Sequence, residues 1–326
     1  MGLHPSVAAV RRAVREGVAD LPEDATLVVA CSGGPDSLAL AAAAVAEKRD
    51  RRVVGATVDH GLQEGSAAQA ARVVEQLATL GADETITARV TVDPGGLGPE
   101  AAARRARYAV LDQVAEHTGA AAVLLGHTRD DQAETVLMGL ARGSGGRSLA
   151  GMRRAFDVYR RPLLDVTRDD TVTACQVLGL EAWDDPHNSD PGYTRVRVRR
   201  RVLPLLEEDL GPGVAAALAR TADQLRTDAD LLDDLADAAW ERLRPADPVG
   251  GLDVGALADL HPALRRRVLR RLALAAGSPA SELFHEHVLA VERLVTAWSG
   301  QRWIDLPGHL RAVRADGVLR VVPADS

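Results

Sequence analysis

The stretch Thr26 to Ser37 (TLVVACSGGPDS) constrains the fold of this chain more than any other. The apolar run 26–31 reads as a buried strand, Ser32-Gly33-Gly34-Pro35 as a turn, and the Ala/Leu-rich stretch 36–47 as a helix. A strand that enters a helix through a glycine turn opens a βα unit, and the pattern repeats. Strands are expected at 52–58, 85–92 and 121–125, and helices at 66–80, 99–117 and 131–140, after an amphipathic helix at 5–18. Strands alternating with helices of this length predict a Rossmann-like parallel sheet with helices on its faces.

The alternation stops near residue 150. Helices are expected at 167–178, 195–209, 214–243, 262–276 and 281–298, with a Pro/Gly-rich connection at 241–252. Short strands are expected at 302–304, 310–314 and 318–322, the last two joined by Asp316-Gly317, a strong hairpin signal. The expected fold class is α/β, followed by a mostly helical C-terminal domain ending in short strands. The expected domains are 1–210, catalytic, and 211–326, for nucleic-acid binding.

Composition excludes several alternatives. Cys31 and Cys175 are the two cysteines, too few for a disulfide framework or a four-cysteine zinc site. No run of about 18 apolar residues occurs, so no membrane partner is expected. The N-terminus lacks the order of a secretory signal, and a cytoplasmic location is expected. The net charge of −7 argues against non-specific nucleic-acid binding, but Lys48 is the one lysine among 39 basic residues, so where the arginines lie is informative.

The turn after the first strand has the chemistry of an anion site. Gly33 and Gly34 allow a tight turn with exposed N–H groups, and the following helix adds its positive end. Ser32 and Ser37 can donate to phosphate oxygens. Asp36 cannot, and is left to hold Mg²⁺ or a cationic substrate group. A second cluster follows the fourth strand, Gly126-His127-Thr128-Arg129-Asp130-Asp131-Gln132-Ala133-Glu134. Asp130 and Glu134 are i, i+4 and share a helix face, while Thr128-x-x-Asp131 is also a good capping box. Capping explains one or two of these acids; three, with His127, point to a site for Mg²⁺ or an ammonium.

The loop S-G-G-x-D-S is neither a Walker loop nor G-x-G-x-x-G, and resembles that of the PP-loop ATP pyrophosphatases. Further stretches narrow the resemblance: VDHGLQ (58–63), EAAARRARY (100–108), GHTRDDQAET (126–135), LARGSGGRSL (140–149) and WDDPHNSDPGYTRVRVRRRVLP (183–204). Together they resemble the tRNA(Ile)-lysidine synthetase family over about residues 25 to 205. Longer members of that family carry a further C-terminal domain, for which this chain is expected to leave no room.

The resemblance implies a ligase with ATP and Mg²⁺ as cofactors and tRNA(Ile) and free L-lysine as partners. ATP would adenylate the wobble cytidine of a CAU anticodon and release pyrophosphate. The lysine ε-amine would then displace AMP, forming lysidine and changing codon reading from AUG to AUA. Free lysine is protonated, so one carboxylate must hold the ammonium and take its proton. Asp36, Asp130, Asp131 and Glu134 are the catalytic candidates, with no basis for choosing among them, and Asp36 and Asp130 are the candidates for Mg²⁺. Ser32, Gly33, Gly34, Pro35, Asp36, Ser37, Asp59 and His60 are the candidates for ATP. His127, Arg104, Arg107, Arg142, Arg147, Arg195 and Arg199 are the candidates for tRNA or substrate.

Two rivals stay open: a PP-loop ligase acting on a small molecule, and a non-catalytic nucleotide- or RNA-binding module. Sulfur transfer is disfavoured by the absence of C-x-x-C. Oligomeric state is not legible in the residues, and a homodimer is kept open.

Overall fold

A computed structural model of the protein describes residues 2–59, 65–89, 99–143, 146–185, 190–244 and 251–324. The chain divides into two compact units, Met1–Asp223 and Gln224–Ser326.

The first unit runs α1 (Pro5–Gly17), β1 (Thr26–Ala30), α2 (Pro35–Ala46), β2 (Arg52–Asp59), α3 (Ser66–Leu80), β3 (Glu84–Arg89), α4 (Pro99–Thr118), β4 (Ala122–Leu125), α5 (Arg129–Ala141) and α6 (Gly146–Leu149). Then come β5 (Ala155–Phe156), β6 (Tyr159–Arg160), a 3-10 turn (Pro162–Asp165), α7 (Arg168–Val177), α8 (Thr194–Arg197), a π-helical turn (Val198–Val202) and α9 (Leu203–Asp209). The division between the units falls within α10 (Val214–Leu243).

The sheet order is β3-β2-β1-β4-β6-β5, with every pair parallel except β5 and β6. Both faces are covered, as the continuous apolar strands require. Leu27 and Val29 pack with α1, α2, Leu163 and Ala174 on one face, while Val28, Val54 and Val123 pack with Leu111 and Val114 of α4 on the other. From β1 the chain crosses first to β2 on one side and later to β4 on the other. The crevice at the carboxyl ends of β1 and β4 is therefore the switch point where such sheets bind ligands.

The structure departs from the sequence expectations in several details. Strands β5 and β6 are too short for any periodicity to announce. The stretch 195–209 is not one α-helix but is interrupted by the π turn. Pro204 lacks an N–H and its ring would crowd the Arg200 carbonyl in a regular helix; a wider turn before it relieves both problems. Helix 281–298 is shorter, because Phe284 N–H is capped by His287 Nδ1 at 3.0 Å and fixes the start.

The second unit holds α11 (Val254–Asp259), α12 (Pro262–Ala275) and α13 (His285–Thr296), and the antiparallel sheet β7 (Leu252–Asp253), β10 (Val318–Pro323), β9 (Leu310–Ala315), β8 (Ile304–Leu306) in that order. Ala315 pairs with Val318, and Asp316 and Gly317 between them both have positive φ, the type I′ geometry that Asp-Gly favours. The edge strand lies two residues later than expected, which turns Ile304 and Leu306 to the core.

The arginine run on α12 is committed to this unit's own interior. Arg265 and Arg266 bind opposite oxygens of Glu292 at 2.9 and 2.8 Å, Arg267 binds Asp233 at 2.8 Å, and Arg271 pairs with Asp237. Arg265 and Glu292 are 8% and 6% exposed. Removing one partner of such a pair strands a buried charge. Glu292→Ala should therefore cost about 3–5 kcal/mol of stability, read from the denaturant midpoint of the second unit's transition. A loss under about 1 kcal/mol would mean that the pair behaves as an exposed one.

Candidate active site

The loop after β1 is held from several sides. Gly33 has φ +86°, and a Cβ there would sit 2.8 Å from Val73 Cγ2 and 2.9 Å from Gln69 Nε2. Its carbonyl accepts from Trp183 N–H at 2.9 Å. Ser37 Oγ accepts from Ser32 N–H at 3.2 Å, donates to Gly34 O at 2.9 Å, and lies 3.3 Å from Ser32 Oγ. Ser37 thus turns back to brace the loop, while Ser32 stays exposed. Gly34 is the N-cap of α2 with no side-chain cap, and Pro35 opens the helix. With no side-chain cap, the N–H groups that follow Pro35 are left to face an anion, while Pro35 itself has none to offer.

The turn after β4 comes against this loop. A Cβ on Gly126 would approach Asp36 O at 3.0 Å and Ser37 Cα at 3.1 Å, so only glycine lets the two backbones meet. Beyond it, Thr128 and Asp131 form a capping box at the start of α5. Asp131 does two jobs at once. Its Oδ2 accepts from Thr128 N–H at 2.9 Å, and its Oδ1 accepts from Arg168 at 2.9 Å and Arg199 at 3.2 Å.

Arg168, at the start of α7, is the hub. Its guanidinium donates to Asp36 Oδ2 at 3.2 Å and to Asp131, and lies 3.6 Å from Glu134 Oε1. Its backbone N–H donates to Asp130 Oδ2 at 2.8 Å. Arg199 holds both oxygens of Glu134, at 2.6 and 3.0 Å. Arg195 Nη2 reaches Thr135 Oγ1 at 3.1 Å, and its Nε lies 3.6 Å from Glu134 without a hydrogen bond among the described residues. All four acids of the sequence analysis therefore surround one arginine. The sequence paired Asp130 with Glu134 by helix face; the structure pairs Asp131 with Glu134, because Asp130 turns to the Arg168 backbone.

Burial pushes the Asp36 and Glu134 carboxyls up, against the pull of Arg168 on the first and Arg199 on the second. Asp131 is buried too, but Arg168, the Thr128 N–H and Arg199 together hold it below the ordinary carboxylate range. Burial would lower Arg168, and the three carboxylates more than offset this.

A second, cationic side adjoins the acids. His127 Nδ1 accepts from Arg161 Nε at 3.2 Å. Arg161 is 6% exposed, reaches Tyr108 Oη at 3.3 Å, and stacks over Phe156 with Cζ 4.5 Å from the ring. Arg104 also donates to Tyr108 Oη, at 3.2 Å, and lies over its ring. Arg107 forms no hydrogen bond or ion pair among the described residues. Burial and repulsion from Arg104 and Arg195 lower its pKa, with Tyr108 opposing. An uncompensated guanidinium between two others is a receptor for an anion.

Other expected residues lie apart. Asp59 ends β2, buried, 3.6 Å from Arg89. Arg142 is exposed at the C-cap of α5, and Arg147 is exposed on α6. His60 lies outside the described residues. Sequence reasoning missed Arg168 and Thr171. Thr167, which caps α7 through Asp170 N–H at 2.9 Å, marks a helix start in sequence, but nothing local shows that the start faces Asp36.

Burial, together with Arg161, Arg107 and Arg104, outweighs the pull of Asp131 and brings His127 down to about 3. The imidazole should stay neutral from pH 5 to 8, seen as ¹⁵N shifts that do not titrate. The unfolded chain takes up this proton near pH 6.5 and the native state only near 3. This group's contribution is therefore complete above about pH 6.5 and is lost as pH falls toward 3. His127→Gln should remove that part of the acid destabilisation; an unchanged acid limb would contradict a buried neutral imidazole.

Comparison with known proteins gives the family. Residues 7–206 match the PP-loop domain family and residues 252–320 the TilS substrate binding domain. The chain is 56% identical to the tRNA(Ile)-lysidine synthase of Thermobifida fusca (strain YX), over 99% of both chains. It is 51% identical to that of Streptomyces coelicolor (strain ATCC BAA-471 / A3(2) / M145), over 98% of this chain and 99% of the relative. The fold is also similar to that of a U34-tRNA thiolase, NcsA from Methanococcus maripaludis, with TM-score 0.58 and 18% identity over 68% of this chain and 80% of that one. With the PP-loop family covering well over half its residues and relatives this similar over its whole length, the chain belongs to the tRNA(Ile)-lysidine synthase family.

Proposed function

We propose that the protein ligates L-lysine to the wobble cytidine of tRNA(Ile), using ATP. The observation that carries this reading is the convergence of Asp36, Asp131 and Glu134 on Arg168 beside the loop at the β1–β4 switch point. An anion site, a set of carboxylates and an unpaired guanidinium then lie on adjoining elements. These match the three needs of the reaction: phosphates, an ammonium and an RNA backbone.

In this reading the loop of Ser32 to Ser37 and the start of α2 hold the ATP phosphates, with Asp59 nearer the nucleoside. Mg²⁺ prefers one or two carboxylates together with substrate phosphates. Asp36 and Asp130 are oxygen donors with lone pairs left beyond their bonds to Arg168 and Thr171, and since no cluster of three metal-ligating side chains occurs among the described residues, the phosphates would have to complete the shell. The ion would neutralise phosphate charge. Cytosine O2 attacks the α-phosphorus and pyrophosphate leaves. The lysine amine then attacks the adenylated ring carbon and AMP leaves. A carboxylate raised by burial is suited to accept the ammonium proton, which favours Asp36 or Glu134 over Asp131. Arg104 and Arg107 suit tRNA phosphate. Arg195 and Arg199 act from behind, by fixing Glu134 and Thr135. Arg142 and Arg147 would add RNA contacts, and the C-terminal part from 211 onward would bind tRNA in its own right. His127 faces the same place as a neutral imidazole.

Multiple turnover to AMP and pyrophosphate should need ATP, lysine and tRNA together, with at most about one pyrophosphate released per tRNA when lysine is left out. ADP and phosphate as lysine-dependent products would overturn the reading. Arg107→Gln should weaken tRNA binding and flatten the log–log salt slope by about 1, the loss of one phosphate contact. An unchanged slope and affinity would remove Arg107 from the RNA surface.

A further inference from the structure

One stripe of α7 reaches the turn that begins α2. Arg168, Thr171 and Cys175 are spaced i, i+3 and i+7, so they lie on one helix face. Arg168 Nε donates to Asp36 Oδ2 at 3.2 Å, Thr171 Oγ1 hydrogen-bonds Asp36 Oδ1, and Cys175 Sγ donates to Pro35 O at 3.3 Å. Thr171 and Cys175 are 0% and 2% exposed. Both are buried, and neither belongs to the motif stretches singled out in the sequence.

An aspartate in the first turn of a helix ordinarily folds back onto its own backbone N–H groups. Asp36 instead has each carboxylate oxygen bound to α7. The carboxylate is thereby fixed in one rotamer by a helix more than 130 residues further along the chain. The Pro35 carbonyl, directly before it, is fixed by the same helix. Gly126 closes against the other side of Asp36, its missing Cβ leaving room for the Asp36 carbonyl. The loop is therefore clamped between α7 and the β4 turn, with Thr171 the clamp's buried centre.

We infer that Arg168, Thr171 and Cys175 are positioning residues for the phosphate loop, and that Thr171 acts through the Asp36 carboxylate. This goes beyond the ligase reading in its structural part and rests on it in its kinetic part. Thr171→Val keeps the shape and removes the hydroxyl; Thr171→Ser keeps the hydroxyl. Hydrogen exchange of peptides spanning 31–40 should speed up in Thr171→Val, with peptides of α5 unchanged, and return to wild type in Thr171→Ser. The kcat for pyrophosphate release should fall at least ~10-fold in the valine variant, with ATP KM changed less than ~3-fold, because a misplaced carboxylate costs rate more than binding. The serine variant should recover most of the rate.

Wild-type exchange across 31–40 in Thr171→Val, or a serine variant as impaired as the valine one, would overturn the inference. Should the valine variant not fold, Cys175→Ala removes the Pro35 contact alone, and the same exchange readout decides: faster exchange supports the clamp, unchanged exchange overturns it. The exchange arm needs no turnover, so a wild-type protein that released no pyrophosphate would count against the ligase reading alone.

Discussion

Four carboxylates cannot share one crevice without a cation among them. Asp131 is 6% exposed and Glu134 0% exposed, and at such burial like charges would force protonation or separation. Arg168 resolves this by meeting three side chains and, through its backbone, a fourth. Arg199 supplies the second positive charge, with a two-oxygen grip on Glu134. The rest of the first unit follows from this arrangement. Helix α7 must return to the carboxyl edge of the sheet, and the chain after residue 190 must bring Arg195 and Arg199 across α5. The π turn falls where Arg199 makes that reach.

The same economy explains where the arginines go. The chain is acidic overall, and while many of its arginines are exposed, several of the buried and half-buried ones are committed to specific partners. Those of α12 close the second unit onto Glu292, Asp233 and Asp237. Arg161 steadies His127 and Tyr108, and Arg160 is spent on Asp20 at 2.9 Å. Arg107 is left without a counter-ion among the described residues. Its neighbours Arg104 and Arg161 also meet no carboxylate among the described residues, but each hydrogen-bonds Tyr108, and Arg107 lacks even that.

Much of this was legible in sequence, and the limits have physical reasons. Local signals were strong where the chemistry is local. The apolar run before Ser32, the Thr128 capping box and the Asp316-Gly317 hairpin each depend on neighbours a few residues away, and each is present. The acids at 130–134 were found because they sit on one helix start. Their true pairing was not, since it depends on whether Asp130 or Asp131 faces Arg168, a residue from α7. Thr171 was invisible for the same reason. Its partner is Asp36, and no periodicity links two residues that meet only in the folded sheet. The role of the α12 arginines is not legible in sequence, because a charge run looks the same whether its acids lie in solvent or on a neighbouring helix.

The account's central claim is that this crevice joins lysine to a cytidine, and the product nucleoside tests it most directly. A tRNA(Ile) transcript with a CAU anticodon, incubated with the protein, ATP-Mg²⁺ and lysine, is digested to nucleosides and analysed by mass spectrometry. The account predicts that the wobble cytidine gains the mass of lysine less one water, and that no other cytidine changes. An unmodified wobble cytidine in a protein that binds both ATP and the tRNA would contradict it.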